Sequence, residues 1–414
     1  MPHRTARVVV INDSSIAKGG ATKLALQLAS GLSEQGVSVT FFAGDAGINP
    51  AFENSQIDVV SLGGAKLIES RGRSIIDGLY NRKAKNALSR MIDEIDTPNT
   101  IYHLHGWSQI LSPSIFDALA DVAHRTVLTA HDFFLACPNG NFSIYPKSRQ
   151  CDFTPLSLQC LAANCDKRNY VHKLWRVGRQ AILNATSNLN DAGYTVLAIQ
   201  AGMAPFLARG GVPEDKIRVM SNPAAQLRMA RTPAEHNKTI LYVGRIEHEK
   251  GVDVLAAASR DIGAHLCIIG EGEAEAAVRR TNPDAEFPGW LGPDEIAARL
   301  GEARFLVMPS RCTEPFGLAG AEALRAGVPV LVSNSCLIGA DVERAGMGAR
   351  LDVFDKAAFT STLSEWMRND ALVARMSVAA FDNANTIAQT DDAWLDAHLS
   401  LYDQLLAGNE KSER

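Results

Sequence analysis

The chain has 414 residues, of which 46% are hydrophobic and 21% charged, and its formal net charge is −5. This length predicts two or three globular domains, and the negative charge gives no reason to expect nucleic acid as a partner. A membrane-spanning helix needs a run of about 18 apolar residues, and the sequence contains none. The first apolar run, Val8–Ile11, is too short for a secretory leader. We therefore expect a cytoplasmic protein, at most peripheral on the inner face of the membrane.

Short β-branched runs alternate with helical stretches through the first half of the chain. Apolar residues with helical spacing predict helices at Thr22–Ser33 and Ile75–Ile92. The predicted strands are Val8–Ile11, Ser38–Phe42, Asp58–Ser61, Thr100–Leu104, Thr126–Thr129, Thr195–Ile199 and Lys216–Met220. This alternation predicts a mostly parallel sheet covered by helices on both faces.

A polar stretch at 221–238 has no apolar periodicity and is predicted to link two domains. The alternation then resumes, and two or three helices are expected from Lys356 to Leu406. The predicted strands of this half are Thr239–Val243, His265–Ile269, Arg304–Met308 and Val328–Val332, and its helices are Val252–Ala258, Pro293–Gly301 and Leu318–Ala326.

The sequence therefore predicts an α/β protein with two doubly wound, Rossmann-like domains. We expect an N-terminal domain at 1–225, a C-terminal domain at 226–385, and a final helix within 386–414 that packs back toward the first domain. Ligands of such sheets bind outside the carboxyl ends of the strands, so a central cleft faced by both domains is expected.

The segment Glu314–Glu322 joins a predicted strand to a predicted helix. Pro315 suits a helix start, where its missing amide hydrogen costs nothing, and Gly317 lets the backbone approach a ligand. The first amides of such a helix favour an anion such as phosphate. One carboxylate would then reach a sugar, and the other, about two turns into the helix, a ribose.

Glu-x7-Glu with Pro-Phe-Gly inside it resembles the signature of the family-4 retaining glycosyltransferases, which have the GT-B fold. The resemblance implies that Glu314 acts at the transferred sugar and that Glu322 binds the ribose. It also implies that the donor is held by the backbone amides of Phe316, Gly317 and Leu318. A capped helix with two solvated glutamates is the alternative.

Arg245 and Lys250 lie in the loop after the strand Thr239–Val243. A guanidinium and an ammonium suit a diphosphate leaving group, because they offset the charge that develops as the glycosidic bond breaks. The Gly-Arg and Glu-Lys-Gly around them match the family pattern, so the resemblance implies this role. Two solvated loop cations are the alternative.

Gly270 and Gly272 resemble the family's Gly-x-Gly turn near the nucleotide base, although a purely structural turn is an equal alternative. Gly19 and Gly20 follow the first strand, where the family has a Gly-Gly loop that closes over the donor diphosphate and borders the acceptor. A plain strand-to-helix turn is the alternative. Position 275 is Glu, so the third glycine of a dinucleotide fingerprint is absent.

His105 and His131 each follow a predicted strand. The resemblance implies that His131 contacts the transferred sugar, and His105 is a candidate for the wall of the cleft. A structural role is the alternative for both.

Four of the seven cysteines lie within a predicted insertion at 133–170: Cys137, Cys151, Cys160 and Cys165. The odd total argues against a disulfide framework. Four thiolates can form a tetrahedral zinc site that braces a long loop. Structural zinc, free thiols and a disulfide are the alternatives for these four cysteines.

Two basic stretches carry apolar residues between their charges, and such segments can lie on anionic membranes. A solvated helix face is the alternative. The first contains Arg71, Arg73, Arg82, Lys83, Lys85 and Arg90, and the second contains Lys167, Arg168, Lys173, Arg176 and Arg179.

Taken together, the resemblance implies a retaining hexosyltransferase that moves a sugar from a nucleoside diphosphate-sugar to a glycan or lipid-linked acceptor. It implies a place in bacterial polysaccharide or glycolipid biosynthesis and no cofactor for catalysis. The alternatives are a nucleotide-sugar epimerase or sugar synthase of the same fold, and a non-catalytic glycan-binding relative.

Overall fold

The structure, a computed structural model, describes residues 4–17, 19–53, 55–66 and 74–412. The chain divides into two compact units. The N-terminal unit comprises Met1–Phe142, Asp152–Met220 and Asp392–Arg414, and the C-terminal unit comprises Ser143–Cys151 and Ser221–Asp391. No helix among the described residues has the length and apolar character needed to cross a lipid bilayer.

The N-terminal unit is built on a seven-stranded sheet in which all neighbouring strands are parallel. Its strands, in spatial order, are Ile57–Ser61, Ser38–Ala43, Arg7–Asn12, Thr100–Leu104, Thr126–Ala130, Thr195–Ala198 and Ile217–Val219. The strand order changes direction at Arg7–Asn12, where loops from neighbouring strands leave a crevice at their carboxyl ends. The predicted strands of this half are confirmed.

Helices cover this sheet, and the final helix of the chain belongs to its core. Trp394 and Tyr402 of that helix pack in one apolar cluster with Val8, Leu28 and Phe41. The α-helices of the unit are Gly20–Glu34, Pro50–Glu53, Ser74–Asp77, Arg82–Ile95, Ser114–Leu119, Leu158–Ala162, Tyr170–Ser187, Ala204–Arg209 and Asp391–Ser412.

The prediction of one helix over Ile75–Ile92 is wrong, because two helices, Ser74–Asp77 and Arg82–Ile95, occupy this region. The side chain of Asn81 accepts a hydrogen bond from Ala84 N at 3.1 Å and starts the second helix. Asparagine is a strong N-cap, so it begins a new helix rather than continuing the first.

The C-terminal unit has a six-stranded parallel sheet. Its strands, in spatial order, are Glu286–Gly289, Leu266–Ile269, Thr239–Val243, Ala303–Met308, Val330–Ser333 and Gly348–Leu351. Its α-helices are Val252–Asp261, Glu275–Thr281, Pro293–Glu302, Leu318–Arg325, Gly339–Arg344, Lys356–Arg368 and Asp370–Asn383. The two edge strands were not predicted, whereas the doubly wound α/β class of both units is confirmed.

A small antiparallel hairpin, Ser143–Ile144 with Arg149–Gln150, lies inside the predicted insertion at 133–170. It belongs to the C-terminal unit, although the chain on either side of it belongs to the N-terminal unit. Ser143 accepts a hydrogen bond from Thr313 N through its hydroxyl at 3.3 Å. The hairpin therefore contacts the loop that leads to Glu314.

Candidate functional site

The loop before helix Leu318–Arg325 takes a backbone conformation that only glycine adopts easily. Gly317 has φ 85° and caps the helix. A Cβ there would lie 2.1 Å from the Met308 methyl carbon, Cε. Hydrogen bonds of the helix begin at Gly320 and Ala321, which both donate to Gly317 O. The amides before them form the open amino-terminal end that can receive an anion.

Glu314 is fixed at this helix start by its own backbone. Its N–H donates to Ser335 O at 3.0 Å, and its carbonyl accepts from Leu337 N at 3.0 Å. Its carboxylate makes a close ion pair with the Lys250 ammonium. Burial disfavours the charged form of Lys250, but the attraction of Glu314 outweighs it and holds the pKa of Lys250 above its ordinary value.

The turn that carries Lys250 is fastened to the turn that precedes Glu314. Arg311 makes a bidentate ion pair with Asp253, with both N···O distances 2.7 Å, and also donates to His248 O at 2.7 Å. Gly251 has φ 67°, and a Cβ on it would lie 2.0 Å from Pro309 O. Arg311 and Asp253 were not singled out from the sequence, since an isolated arginine and aspartate form no recognisable motif.

Arg245 lies at the end of strand Thr239–Val243, as predicted. Its guanidinium is 65% exposed and pairs with Glu247 at 2.6 Å. The backbone below it is held by Tyr242, whose hydroxyl donates to Arg245 O at 2.7 Å. Arg245 is therefore a cation at the surface that can turn toward a ligand, while Lys250 is enclosed.

Gly270 and Gly272 have a structural explanation. A Cβ on Gly270 would lie 2.0 Å from Gly244 O, and one on Gly272 would lie 2.3 Å from Ile246 O. The two turns are also joined by a hydrogen bond from Ile246 N to Glu271 O at 2.9 Å. Close packing thus accounts for both glycines, and a contact with a nucleotide base stays a prediction.

Glu322 lies half-buried on helix Leu318–Arg325, about two turns after Glu314. The structure thus assembles five predicted elements in the C-terminal unit: the helix start, Glu314, Lys250, Arg245 and Glu322. Their arrangement supplies cations, backbone donors and carboxylates, which are the groups that a diphosphate and its attached sugars would need.

A separate cavity of about 230 Å³ lies in the N-terminal unit, at the carboxyl ends of its strands. Gly19, Gly20, His105 and His131 all line it, together with Asp132. Gly19 has φ −173°, and a Cβ on it would meet nothing within 4 Å. The fold therefore does not require glycine at position 19, which leaves room for a ligand as its explanation.

His131 and His105 are joined, with His131 Nε2 and His105 Nδ1 2.9 Å apart. Burial lowers the pKa of His131 to about 4, and burial also places the pKa of His105 well below its ordinary value. Both rings are neutral near pH 7. His105 Nε2 is buried without a hydrogen-bond partner among the described residues.

His103 continues this group of histidines into the core. Its ring nitrogens lie 2.6 Å from the Tyr402 hydroxyl and 2.7 Å from Thr129 Oγ1. The ring is fully buried, and its pKa is well below the ordinary value because of that burial. His103 thus connects the cavity wall to the final helix and has a structural role.

Two carboxylates of this cavity were not singled out from the sequence. Asp13 accepts hydrogen bonds from the amides of Gln109, Ile110 and Leu111 at 2.8–2.9 Å, so it organises a loop. Asp132 reaches the cavity surface, yet the protein around its carboxyl raises its pKa to about 6. Asp132 is therefore a group of the cavity that changes charge near pH 6.

The structure does not assemble a metal site from the four clustered cysteines. Among the described residues, no group of three or more His, Cys, Asp or Glu side chains is placed to hold a metal ion. The Lys173 ammonium instead donates to Cys160 Sγ at 3.3 Å and to Cys165 Sγ at 3.2 Å. Cys137, Cys160 and Cys165 are free thiols in this structure, and structural zinc stays a prediction.

The second basic stretch, 167–179, is not a uniformly solvated helix face, and its contact with a membrane stays a prediction. Lys173 and Arg179 are buried, and Arg176 pairs with Asp166 at 3.0 Å. The exposed side of helix Tyr170–Ser187 carries Val171 and Leu174 instead. In the other basic stretch, Arg71 and Arg73 lie outside the described residues.

Comparison with protein families gives two adjoining matches. The model described as "Glycosyltransferase Family 4" matches residues 18–224, and the one described as "Glycosyl transferases group 1" matches residues 225–382. The matched ranges together include every site residue that was predicted from the sequence.

Curated relatives match part of the chain. A GDP-mannose-dependent alpha-mannosyltransferase of Corynebacterium glutamicum is 31% identical over 159 residues, which are 38% of this chain and 38% of the relative. A glycogen synthase of Mycobacterium tuberculosis is 32% identical over 211 residues, 48% of each chain. The chain thus spans less than half the length of these relatives.

Solved structures match almost the whole chain. Sucrose-phosphate synthase from Thermosynechococcus elongatus superposes with a TM-score of 0.71 at 18% identity, covering 97% of this chain and 99% of that one. WaaG, a glycosyltransferase involved in lipopolysaccharide biosynthesis, gives 0.65 at 14% identity, with 94% and 99% covered. Anabaena HepE with UDP and glucose gives 0.65 at 13% identity, with 99% and 100% covered. These likenesses establish the fold, which is the predicted GT-B class.

Proposed function

The chain belongs to glycosyltransferase family 4, and from this premise we propose that it transfers a sugar from a nucleoside diphosphate-sugar to a glycan or lipid-linked acceptor. The transfer retains the anomeric configuration and serves the assembly of a bacterial-type surface polysaccharide or glycolipid. The donor binds the C-terminal unit, and the acceptor binds the N-terminal unit.

One observation carries this proposal: the Lys250 ammonium meets the Glu314 carboxylate at the amino-terminal end of helix Leu318–Arg325. A helix start with an adjacent, enclosed cation is suited to a diphosphate. The carboxylate beside it is suited to the hydroxyls of the sugar that the diphosphate carries. The UDP-bound and UDP-glucose-bound structures of Anabaena HepE support this class of donor.

The charge of the leaving group determines the roles of the cations. As the bond between the sugar and the diphosphate breaks, negative charge grows on the phosphate oxygen. Lys250 and Arg245 offset this charge, and fixed donors that face developing charge are worth several kcal/mol in the transition state. Glu322 accepts hydrogen bonds from the ribose hydroxyls. These groups leave no step that needs a metal ion.

The anomeric configuration is retained because the acceptor oxygen attacks the anomeric carbon from the same face that the diphosphate leaves. The acceptor oxygen bonds to the anomeric carbon, the bond to the diphosphate breaks, and the acceptor proton passes to the departing phosphate oxygen. Neutral His131 can hydrogen-bond a hydroxyl of the transferred sugar without adding charge. The protein contributes mainly by positioning the two substrates.

The test is incubation of the protein with a panel of UDP- and GDP-sugars, followed by chromatography of the nucleotides and sugars. We expect slow release of nucleoside diphosphate without an acceptor, from at least one donor. Conversion into an epimeric nucleotide-sugar would identify an epimerase instead. Neither binding nor release across the panel would indicate a non-catalytic relative.

The same assay tests the donor site through Glu322→Ala. Loss of the ribose hydrogen bonds should weaken donor binding about tenfold, as for hydrogen bonds to a charged group. Glu365→Ala is the matched control, because Glu365 is exposed on another helix of the same unit. Unchanged donor affinity in Glu322→Ala would show that the ribose lies elsewhere.

A further inference from the structure

A second cavity of the N-terminal unit, of about 440 Å³, lies beside helix Tyr170–Ser187. Its lining includes Phe134, Arg168, Val171, Trp175, Arg179 and Ile75, and we call it the arginine pocket. It shares Ser108 and Gln109 with the cavity that contains His131. A ligand in the arginine pocket can therefore extend into the His131 cavity.

The floor of the arginine pocket is a buried guanidinium held by aromatic rings. Arg179 lies 4.8 Å from the ring centre of Phe134 and 5.2 Å from that of Trp175. It also donates to Ser108 O at 2.8 Å. Such cation–π contacts hold the Arg179 guanidinium in position, and unlike a carboxylate they leave its positive charge available to a ligand.

The mouth of the pocket is cationic. Lys66, Arg168 and Arg176 line it, and no Asp or Glu is among its described lining residues. Arg176 is paired with Asp166, whereas Arg168 makes no ion pair within the part of the chain that the structure describes. An exposed guanidinium at a pocket mouth is suited to a phosphate group, which it can bind through two hydrogen bonds.

The rim of the pocket is apolar and open to solvent. Val171 is 75% exposed and Ile75 is 60% exposed, and Leu174 and Ile76 on the same two helices are exposed as well. Trp175 joins the two sides, because its Nε1 donates to Ile75 O at 3.0 Å. Exposed apolar patches around a cavity mark binding surfaces, since leaving them in water is unfavourable.

We infer that the arginine pocket binds the lipid diphosphate of a lipid-linked acceptor. The phosphates lie at Arg168, and the first carbons of the lipid chain cover Val171 and Ile75. The attached sugar extends past Ser108 toward His131. A free glycan would match neither the cations nor the exposed apolar rim. This inference rests on the proposed function, since it names the acceptor class of the same reaction.

The test is calorimetric titration of the full chain with farnesyl diphosphate, compared with farnesol and with inorganic diphosphate. We expect farnesyl diphosphate to bind at least about tenfold more tightly than either part alone. The titrations are repeated with Lys250→Met, which removes the donor's diphosphate site. Binding of farnesyl diphosphate should persist there, whereas inorganic diphosphate should lose what affinity the donor site provides.

Val171→Asp places a negative charge on the pocket rim and should weaken farnesyl diphosphate binding by at least about tenfold. The change suits the fold, because Val171 lies in the first turn of its helix, where an acidic residue is favourable. Val378→Asp is the matched control, since Val378 is 45% exposed on a helix of the C-terminal unit. Arg168→Glu is the second variant and should give the same loss.

Unweakened binding in both Val171→Asp and Arg168→Glu would overturn the inference. Equal affinity for farnesol and farnesyl diphosphate would overturn it as well, because the phosphates would then contribute nothing. If farnesyl diphosphate fails to bind while a nucleotide-sugar is still turned over, this inference falls and the proposed function stands. If the protein neither binds farnesyl diphosphate nor turns over a nucleotide-sugar, both this inference and the proposed function are wrong.

Discussion

At the scale of single residues, the enclosed cation Lys250 is central to the account. The Arg245 side chain is 65% exposed, so solvent and salt screen its charge, whereas the Lys250 side chain is only 22% exposed and pairs with Glu314. An enclosed charge acts through a lower effective dielectric and is therefore worth more to a bound diphosphate.

Replacing this cation gives the first prediction. Lys250→Met keeps the length of the side chain and removes its charge, so kcat/KM for donor hydrolysis should fall by about 10²–10³-fold. Steady-state kinetics of nucleoside diphosphate release would measure the loss. Lys238→Met, at an exposed position of the same unit, should behave as wild type, and a loss below about threefold in Lys250→Met would contradict the assignment.

Asp132 gives a prediction about pH and stability. Its pKa in the folded protein is about 6, raised from 3.8 by burial, so the folded state holds this proton more tightly than the unfolded chain. The stabilisation from this proton is complete below about pH 4 and is lost as pH rises toward 6. Asp132→Asn should therefore raise Tm relative to wild type above pH 6, with a smaller difference near pH 4.

Differential scanning calorimetry across this pH range would measure the effect of Asp132→Asn. Asparagine can still accept the hydrogen bond from Phe134 N, which is 2.9 Å in the wild type. Asp191→Asn provides a surface control, since Asp191 is exposed. A Tm difference that is the same at all pH values would mean that Asp132 is not the titrating group.

At the scale of elements, the proposed donor site depends on two tight turns that require glycine. The turn at Gly317 opens the helix Leu318–Arg325, and the turn at Gly251 brings the Lys250 loop against Pro309. Arg311 then ties the two turns together through Asp253. Backbone geometry and this ion pair thus set where the Lys250 loop and the start of helix Leu318–Arg325 lie.

Gly317→Ala tests this dependence. The new methyl group would meet the Met308 side chain in a left-handed backbone conformation, so the unfolding free energy should fall by about 1–3 kcal/mol. Binding of nucleoside diphosphate should weaken at the same time. Denaturant unfolding and calorimetric titration would measure the two effects.

Gly346→Ala is the matched control for Gly317→Ala. Gly346 has φ 68°, and a Cβ there would meet nothing within 4 Å. It should lose about 1 kcal/mol through backbone strain and keep its affinity for nucleoside diphosphate. Equal losses of affinity in the two variants would show that the helix start is not the donor site.

The sequence predicts the interior strands well and the irregular elements poorly. Interior strands such as Val330–Ser333 are apolar runs bounded by turns, and burial on both faces requires that composition. The edge strand Glu286–Gly289 contains proline and glycine, which oppose strand formation, and only pairing with Leu266–Ile269 makes it a strand. The hairpin Ser143–Ile144 likewise depends on a contact with Thr313, far away in the chain.

The same contrast applies to the site residues. Glu314, Lys250 and Glu322 lie in recognisable motifs, so the sequence was enough to single them out, and their roles stay predictions. The raised pKa of Asp132 arises from burial of its carboxyl, and the ion pair of Arg311 with Asp253 joins residues far apart in the chain. Neither feature can be recognised from a local sequence pattern. The burial of Lys173 against two thiols was missed for the same reason.

At the scale of the whole molecule, the final helix packs against segments from the first quarter of the chain within the N-terminal unit. Tyr402 of the final helix and His103 of a central strand are 299 positions apart and form a fully buried hydrogen bond of 2.6 Å. Near the surface, Asp403 accepts from the Thr5 hydroxyl at 2.9 Å. The final helix is therefore part of the core that supports the wall of the His131 cavity.

Tyr402→Phe tests this role of the final helix. It leaves a buried ring nitrogen without its partner, so the unfolding free energy of the N-terminal unit should fall by about 1–3 kcal/mol. Tyr170→Phe is the control, because its hydroxyl donates to Leu161 O at an exposed position. Nucleoside diphosphate affinity, which belongs to the C-terminal unit, should stay the same, and its loss in Tyr402→Phe would contradict the division of roles.

The most direct test of the central claim is a proton NMR time course with the α-linked nucleoside diphosphate-sugar that the protein hydrolyses. The anomeric signal of the released sugar reports which face of the sugar was attacked, before mutarotation mixes the two forms. The account predicts that the α-anomer appears first and that Lys250→Met releases sugar about 10²–10³-fold more slowly. Release of the β-anomer first, or equal rates in the two proteins, would contradict it.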